Sequence, residues 1–454
     1  MATTTAPSTT YWCALAWLGG DTATADVMIE VSDGLFTAVG TGRRPCPPDA
    51  VRLDGLTLPG LANAHSHAFH RALRGRTHGG VGSFWTWREQ MYALAAALDP
   101  DSYRRLARAT FAEMVLAGFT TVGEFHYLHH DWNGRDYADP NAMGEAIVEA
   151  ARDAGIRITV LDTCYLRSGT GPSGRGRHPE GVQHRFVDAD VAAWAERATA
   201  FTERYSSDRR VRCGAAIHSL RACAPADAAV VAAWAGERAA PLHAHVSEQP
   251  AENEACLAAF GATPTALLDA AGALSQQFTA VHATHVSDDD VELLNRSRST
   301  VCLCPTTERD LADGIGPASR FGRLAIGSDS HAVIDAFEET RAIELDERLG
   351  TLVRGANSVE RLLESASSNG HRALGWPDAG RIAVGARADL VTVAFDSTRL
   401  AGTRPGDALA SVVFAGTAAD VVHVVVDGRV VVREGVHVAI DVASELFSAI
   451  GALS

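Results

Sequence analysis

The chain has 454 residues, 46% of them hydrophobic, with a net charge of −15 and a sequence pI near 5.6. That length supports a sizeable core, in one large domain with a smaller one beside it. The acidic balance excludes the basic footprint of a nucleic-acid binder, no basic amphipathic run marks a membrane surface, and no apolar run reaches the roughly 18 residues of a membrane span. In chain order, Met1 to Trp12 has neither a charged n-region nor an apolar h-region, so no signal peptide is expected and the expected location is cytoplasmic. Val27 to Val31 and Leu35 to Val39 flank Ser32-Asp33-Gly34, a tight-turn signal, and read as a small β unit. The tail mirrors it: Val421 to Val426 and Val430 to Val432 flank Asp427-Gly428-Arg429, and Ala388 to Phe395 is another β-rich run. Two β-rich ends around a different middle predict one small β-sandwich domain built from both termini, residues 1–55 and 377–454, around a central domain over 56–376.

The middle alternates short apolar runs with helical patterns. The strand candidates begin with Leu56 to Leu61, which leads into Asn63, His65 and His67. Phe119 to Val122 leads to Glu124-Phe125-His126-Tyr127, and Ile156 to Leu161 leads to Asp162. Val211 to Ile217 leads to His218-Ser219-Leu220-Arg221, and Pro241-Leu242 starts a run through His243, His245 and Glu248. Phe278 to Val281 leads to His282, Thr300 to Leu303 to Cys304, and Leu324 to Ile326 to Ser328-Asp329-Ser330-His331. Asp101 to Ala117, Asp188 to Tyr205, Ala226 to Ala235 and Asp335 to Leu349 read as helices between them. Strand-then-helix repeated eight times predicts an α/β fold, a (β/α)8 TIM-type barrel, whose chemistry sits at the C-terminal ends of the strands. Every polar cluster just named falls at such an end.

Those ends offer a metal site. Residues i and i+2 of an extended strand point the same way, so His65 and His67 can present two imidazoles to one point. A third nitrogen should come from His243 or His245, and Asp329 offers a carboxylate. Three histidines and one aspartate suit a divalent ion, which can lower the pKa of a bound water from about 15.7 to near 7. The chain contains no lysine, so all 40 basic residues are arginine and no carboxylated lysine can bridge two metals. One ion is therefore expected, unless a carboxylate takes the bridging role. Glu248 stands three residues after His245 and can carry protons to a leaving nitrogen, while His282 and Asp329 can hold or deprotonate the attacking water. Each of these residues alone is as well explained by packing or capping; their coincidence on successive strand ends is the argument. The eight cysteines show no repeated spacing and read as reduced and mostly buried, with Cys302 and Cys304 as small core residues.

The clusters at His65, His245, His282 and Asp329, with the tail from Gly380 to Val391, resemble the metal-dependent amidohydrolase superfamily over nearly the whole chain. The spacing of His245 and Glu248, with His282 and Asp329, is similar to its mononuclear deaminase branch, and by that match His245 is the third ligand. A narrower resemblance is to the formimidoylglutamate deiminase family, carried by the stretches His65 to Leu73, Ser83 to Arg88, Glu124 to Asp131 and His218 to Ala222. It implies hydrolysis of N-formimino-L-glutamate to N-formyl-L-glutamate and ammonia, a step in histidine degradation. It further implies that Arg88, Tyr127, His218 and Arg221 hold the two carboxylates of a small dicarboxylate substrate. A dicarboxylate needs two cationic clamps, and the guanidinium fork pairs bidentately with carboxylate. His70 stands where that family is expected to have Gln, and either residue can donate a hydrogen bond to the distal carboxylate. The expected cofactor is one divalent ion, Zn²⁺ or else Fe²⁺.

Two rivals make different demands. A ring deaminase such as guanine deaminase would give Arg88 and Arg221 no carboxylate to bind. A non-catalytic barrel scaffold would carry no metal. A homodimer is expected, although no stretch of the sequence fixes the oligomeric state. The loop from Arg167 to Gln183, rich in Gly, Pro and Arg, is expected to act as a lid or a partner contact.

Overall fold

The computed structural model describes residues 8–42, 45–78, 84–171 and 176–453, with the side chains of Phe84 and Trp85 outside that set. Most of Met1 to Trp12, Ser83, and residues 172–175 of the loop beginning at Arg167 therefore lie wholly or partly outside the described residues. The N-terminal part forms β1 (Thr9–Ala16), β2 (Thr24–Ser32), β3 (Leu35–Gly40) and β4 (Val51–Pro59). Eight parallel strands follow: β5 (Leu61–Ser66), β6 (Phe119–His126), β7 (Arg157–Cys164), β8 (Val211–Ile217), β9 (Leu242–Val246), β10 (Phe278–His282), β11 (Thr300–Leu303) and β12 (Leu324–Ile326). The chain then returns through β13 (Leu390–Val393), β14 (Val421–Val426), β15 (Arg429–Arg433) and β16 (Val436–His437).

β1 to β4 and β13 to β16 make one sheet of eight strands, joined where β4 runs antiparallel to β13. On β2 the buried residues Val27, Ile29 and Val31 alternate with more exposed neighbours. That period of two gives the sheet its own core, which Tyr11, Phe36, Leu390 and Val425 complete. The barrel strands differ: every residue of β6 and β7 is buried, because helices cover one face and the barrel interior the other. The helices expected over 101–117, 188–205, 226–235 and 335–349 occur as Pro100–Leu116, Val191–Tyr205, Pro225–Glu237 and Ala336–Thr351. Pro100–Leu116 starts where expected because Asp99 accepts from Ser102 N and closes a capping box. Helices Phe84–Ala97 and Ala142–Ala154 were not foreseen. In the tail, the segments Ala408–Ala415 and Val442–Gly451, for which no element was expected, are helical.

The strand expected as one run over Leu56 to Leu61 is divided at Gly60. Leu58 pairs with Val391 in the terminal sheet, whereas Leu61 pairs with Phe119 in the barrel. Gly60 N donates to Asp389 O at 3.0 Å. A Cβ on Gly60 would lie 2.3 Å from Thr120 Oγ1 and 2.6 Å from Asp389 Cβ, so only glycine fits the crossing. The two units are also tied by Arg157, which donates to Asp389 at 2.8 and 3.0 Å and to Asp427 at 2.5 Å.

The barrel closes between β12 and β5. Ser66 and Asp329 form a parallel bridge, Ser328 N and Asp329 N donate to His65 O at 3.1 and 3.0 Å, and His67 N donates to Asp329 O at 3.2 Å. Gly327 permits this approach, since a Cβ there would meet His65 Cβ and Cys304 Sγ, each at 2.8 Å.

Candidate active site

The closing seam sets His65, His67 and Asp329 side by side. His65 Nε2 and His67 Nε2 each lie 3.4 Å from Asp329 Oδ1, and His65 Nε2 lies 3.2 Å from His245 Nε2. One nitrogen each of His65, His67 and His245 falls within 4.8 Å of the others. The same holds for His65 and His282 with Asp329, and for His67 and His70 with Asp329. His67 Nδ1 donates to Phe125 O at 3.0 Å and His245 Nδ1 to His218 O at 2.8 Å. A carbonyl can only accept, so the proton sits on Nδ1 and Nε2 is a bare acceptor turned toward its neighbours. Burial holds the rings neutral, with His65 and His67 well below the usual histidine range and His245 at about 3. Neutral imidazole is the ligating form. Three such nitrogens and a carboxylate oxygen in one cluster fit a single divalent cation. His243, the open alternative to His245, is engaged elsewhere, with Nε2 donating to Ala373 O at 2.9 Å.

His282 is fully buried beside this cluster. Its Nδ1 lies 3.3 Å from Glu308 Oε1, and its Nε2 lies 3.8 Å from Asp329 Oδ2 and 4.0 Å from Glu248 Oε1. Burial alone would lower its pKa, but the Glu308 bond and the charges of Glu248 and Asp329 outweigh that and push it up to about 10. Burial raises Asp329 to about 7. The two groups are close enough to exchange a proton through one water. Glu248 behaves oppositely. Burial would raise it, but Arg221, then His282 and His245, bring it down to about 2. Arg221 Nη2 donates to Glu248 Oε2 at 2.7 Å. The backbones of Ser247, His282 and Asp329 have φ of 51°, 70° and 42°. For non-glycine residues that left-handed region costs on the order of 1–3 kcal/mol each, and here it turns the strand ends that carry the site.

A cavity of about 240 Å³ opens over the cluster. Its wall contains His70, Arg88, Tyr127, His218 and Arg221, the five expected substrate residues, together with His67, His245, Glu248 and Asp329. His65 and His282 are not part of that wall. His70, in the short 3-10 helix Ala68–Leu73, places Nε2 2.9 Å from Tyr127 Oη, with Trp87 edge-on at 5.1 Å. Arg88 projects from Phe84–Ala97 with its guanidinium 5.4 Å over the Tyr92 ring. His218 follows β8, and its Nδ1 is 3.2 Å from Ser219 Oγ.

Several residues at the site were given no role from the sequence. Glu124 accepts from Ser66 Oγ at 2.6 Å, Ala68 N at 2.7 Å and Tyr103 Oη at 3.3 Å, and so pins the turn that carries His67. Burial raises Glu124 to about 7. Its place near the end of an apolar strand was the available signal. Glu308 lies in the first turn of the short helix Pro305–Asp310 and accepts from Cys304 N at 2.9 Å as well as from His282. Arg167 donates to Leu220 O at 2.9 Å and Cys223 O at 3.0 Å, which braces the turn bearing Arg221. Glu252, in the first turn of the helix Pro250–Phe260, also lines the cavity.

The model of the Amidohydrolase family matches residues 56–431. The chain is 40% identical over 407 residues to the formimidoylglutamate deiminase of Pseudomonas aeruginosa, covering 86% of this chain and 87% of that one. It is 29% identical to a 5-methylthioadenosine/S-adenosylhomocysteine deaminase of Halobacterium salinarum, covering 90% and 88%. Among solved structures, an amidohydrolase from Brucella melitensis superposes with a TM-score of 0.90 at 32% identity, over 98% of this chain and 99% of that one. An adenosine deaminase from Xanthomonas campestris, solved with bound zinc, shares the fold with a TM-score of 0.81 at 23% identity, over 97% and 96%.

Proposed function

The chain belongs to the amidohydrolase family, and on that footing we propose that it hydrolyses N-formimino-L-glutamate to N-formyl-L-glutamate and ammonia. The observation that carries this reading is a single cavity whose wall holds Arg88, Tyr127, His218 and Arg221 beside His67, His245 and Asp329. The substrate named for the Pseudomonas aeruginosa relative agrees with that wall, since its two carboxylates need two cationic clamps.

In this reaction one water is added and one ammonia leaves. A C–O bond forms at the formimino carbon, and the C–N bond to the imino nitrogen breaks. His65, His67, His245 and Asp329 would hold one divalent ion, Zn²⁺ in our reading, with Fe²⁺ the other ion this N/O donor set accepts. Such an ion supplies a water whose pKa falls to near 7. His282, held protonated by Glu308, Glu248 and Asp329, would orient that water, and Asp329 would take its proton. Glu248, ionised at rest, would relay the two protons the water gives up, one after the other, to the imino nitrogen, so that ammonia leaves as a neutral molecule. Arg88 and Arg221 grip the two carboxylates, Tyr127 and His218 add hydrogen bonds, and His70 sits with Tyr127 at one of them. We place the enzyme in the cytoplasm, in histidine degradation, as a homodimer. Among the described residues no helix is long and apolar enough to cross a membrane.

The test is ammonia release by the metal-loaded protein from formiminoglutamate, formiminoaspartate and guanine. Release should be fastest from formiminoglutamate and absent from guanine. Guanine as the better substrate would overturn the reading, and purified protein that carries no metal would favour a scaffold.

A further inference from the structure

Two neighbouring groups are asked to do separate work while bound to each other. Arg221 is to grip a substrate carboxylate and Glu248 is to move protons, yet Arg221 Nη2 donates to Glu248 Oε2 at 2.7 Å. The pair is sheltered, with Arg221 21% and Glu248 7% exposed, so solvent screens it little. Nη2 belongs to both bidentate edges of a guanidinium, and the Glu248 bond takes up one of its two hydrogens, so a carboxylate that pairs bidentately on that edge has to displace Glu248. Arg221 Nε lies 3.4 Å from Ser219 Oγ, a weaker hold than the 2.7 Å bond to Glu248. Glu252 adds a second buried acid to the same wall, with Oε2 accepting from Glu248 N at 3.3 Å and Oε1 unpartnered. A carboxylate arriving at Arg221 therefore joins acids that already share its charge.

Resting on the substrate reading above, we propose that Arg221 and Glu248 form a latch, in which Glu248 competes with the substrate's carboxylate for Arg221, so that a carboxylate at Arg221 releases Glu248 for proton transfer. Carboxylate recognition is then expressed in the chemical step as well as in binding. An amidine or purine without a carboxylate leaves Glu248 tied to Arg221. The latch thus makes Arg221 a determinant of specificity.

The experiment is a double-mutant cycle read by calorimetry on the full, metal-loaded chain, with glutarate as the probe. Glu248→Gln keeps the shape of the side chain and removes the competitor. It should tighten glutarate binding tenfold or more in the wild-type background. In the Arg221→Met background the same change should give no gain, because nothing remains to compete for. Binding linkage is reciprocal, so the measured factor is also the factor by which a carboxylate loosens Glu248. Glu248→Ala repeats the cycle if Glu248→Gln folds poorly. Unchanged or weaker binding in Glu248→Gln overturns the proposal. A gain that persists with Arg221→Met overturns it too, as a general charge effect, and so does failure of every variant to bind glutarate. Ammonia release by the wild type is scored separately, so the substrate reading can fail while the latch stands, and the reverse.

Discussion

The buried knot at Arg157 yields a stability prediction whose size can be worked out. Arg157 is fully buried. It donates to Asp389 at 2.8 and 3.0 Å, to Asp427 at 2.5 Å and to Thr121 Oγ1 at 2.9 Å, and its guanidinium lies 5.1 Å over the Trp376 ring. Asp389→Ala removes the bidentate partner and one of two negative charges. With charge centres about 4 Å apart and an effective dielectric near 20, the lost attraction is about 4 kcal/mol. Asp427 remains to offset part of it, so a net loss of about 3 kcal/mol is expected, the low end for orphaning a buried charge. Urea unfolding should show a lower midpoint with an unchanged slope. Arg157→Met in the same chain should recover most of the loss, because an apolar side chain leaves no stranded charge. Activity of the folded protein should change little, since Gly60 N bonds the backbone oxygen of Asp389 and not its side chain. A loss under about 1 kcal/mol at unchanged slope would refute the reasoning, because a buried pair of this geometry cannot be removed so cheaply.

Asp329→Ala should abolish turnover and leave less than one metal per chain by elemental analysis; stoichiometric metal in the variant would remove Asp329 from the ligand set. Glu248→Gln should keep its metal and lose on the order of 10²–10⁴ in kcat, the range for a lost proton-transfer group. Loss of the metal instead would make Glu248 a ligand. His70→Gln should change the preference between formiminoglutamate and formiminoaspartate mainly through KM, and unchanged constants for both would take His70 away from the substrate. Asp420 supplies a pH test remote from the site. Burial would raise it, but bonds from Arg399 at 2.8 and 2.9 Å and from Thr417 N at 2.9 Å outweigh that and lower it to about 2. A depressed carboxylate stabilises fully above its unfolded pKa and loses that contribution as pH falls through the folded value. Asp420→Asn should therefore cost about 2 kcal/mol at most near pH 6 and almost nothing near pH 2, by unfolding free energy at each pH. A difference that stays flat over that range would refute it.

The strands were legible because their local pattern and their tertiary role agree. Val27, Ile29 and Val31 alternate as a one-sided strand should, and the continuous apolar run of β7 matches burial on both faces. The division at Gly60 was not legible. Leu56, Leu58 and Leu61 form one apolar run, and only their partners, Val393, Val391 and Phe119, assign them to different sheets. The helix Val442–Gly451 did carry a local signal, since Asp441 caps it by accepting from Ser444 N. It was masked by the valine-rich run just before it, and its burial depends on the barrel helix Pro100–Leu116, where Arg108 pairs with Glu445 at 2.7 Å.

At the site, residue types were legible and their fixings were not. His67 and His245 are oriented by the carbonyls of Phe125 and His218, and a backbone carbonyl has no signature in a sequence. Glu124 and Glu308 are chosen by what surrounds them, not by spacing. The sequence separation of 262 from His67 to Asp329 was bridged only by the expectation that strand ends meet. In the structure the Ser66–Asp329 bridge makes that meeting the closure of the barrel itself. Whatever opens the seam also parts Asp329 from His65 and His67. An ion that binds the closed cluster and not the open chain must then stabilise the closed barrel by RT ln(1 + [L]/Kd), so metal affinity and the integrity of the fold are one coupled quantity.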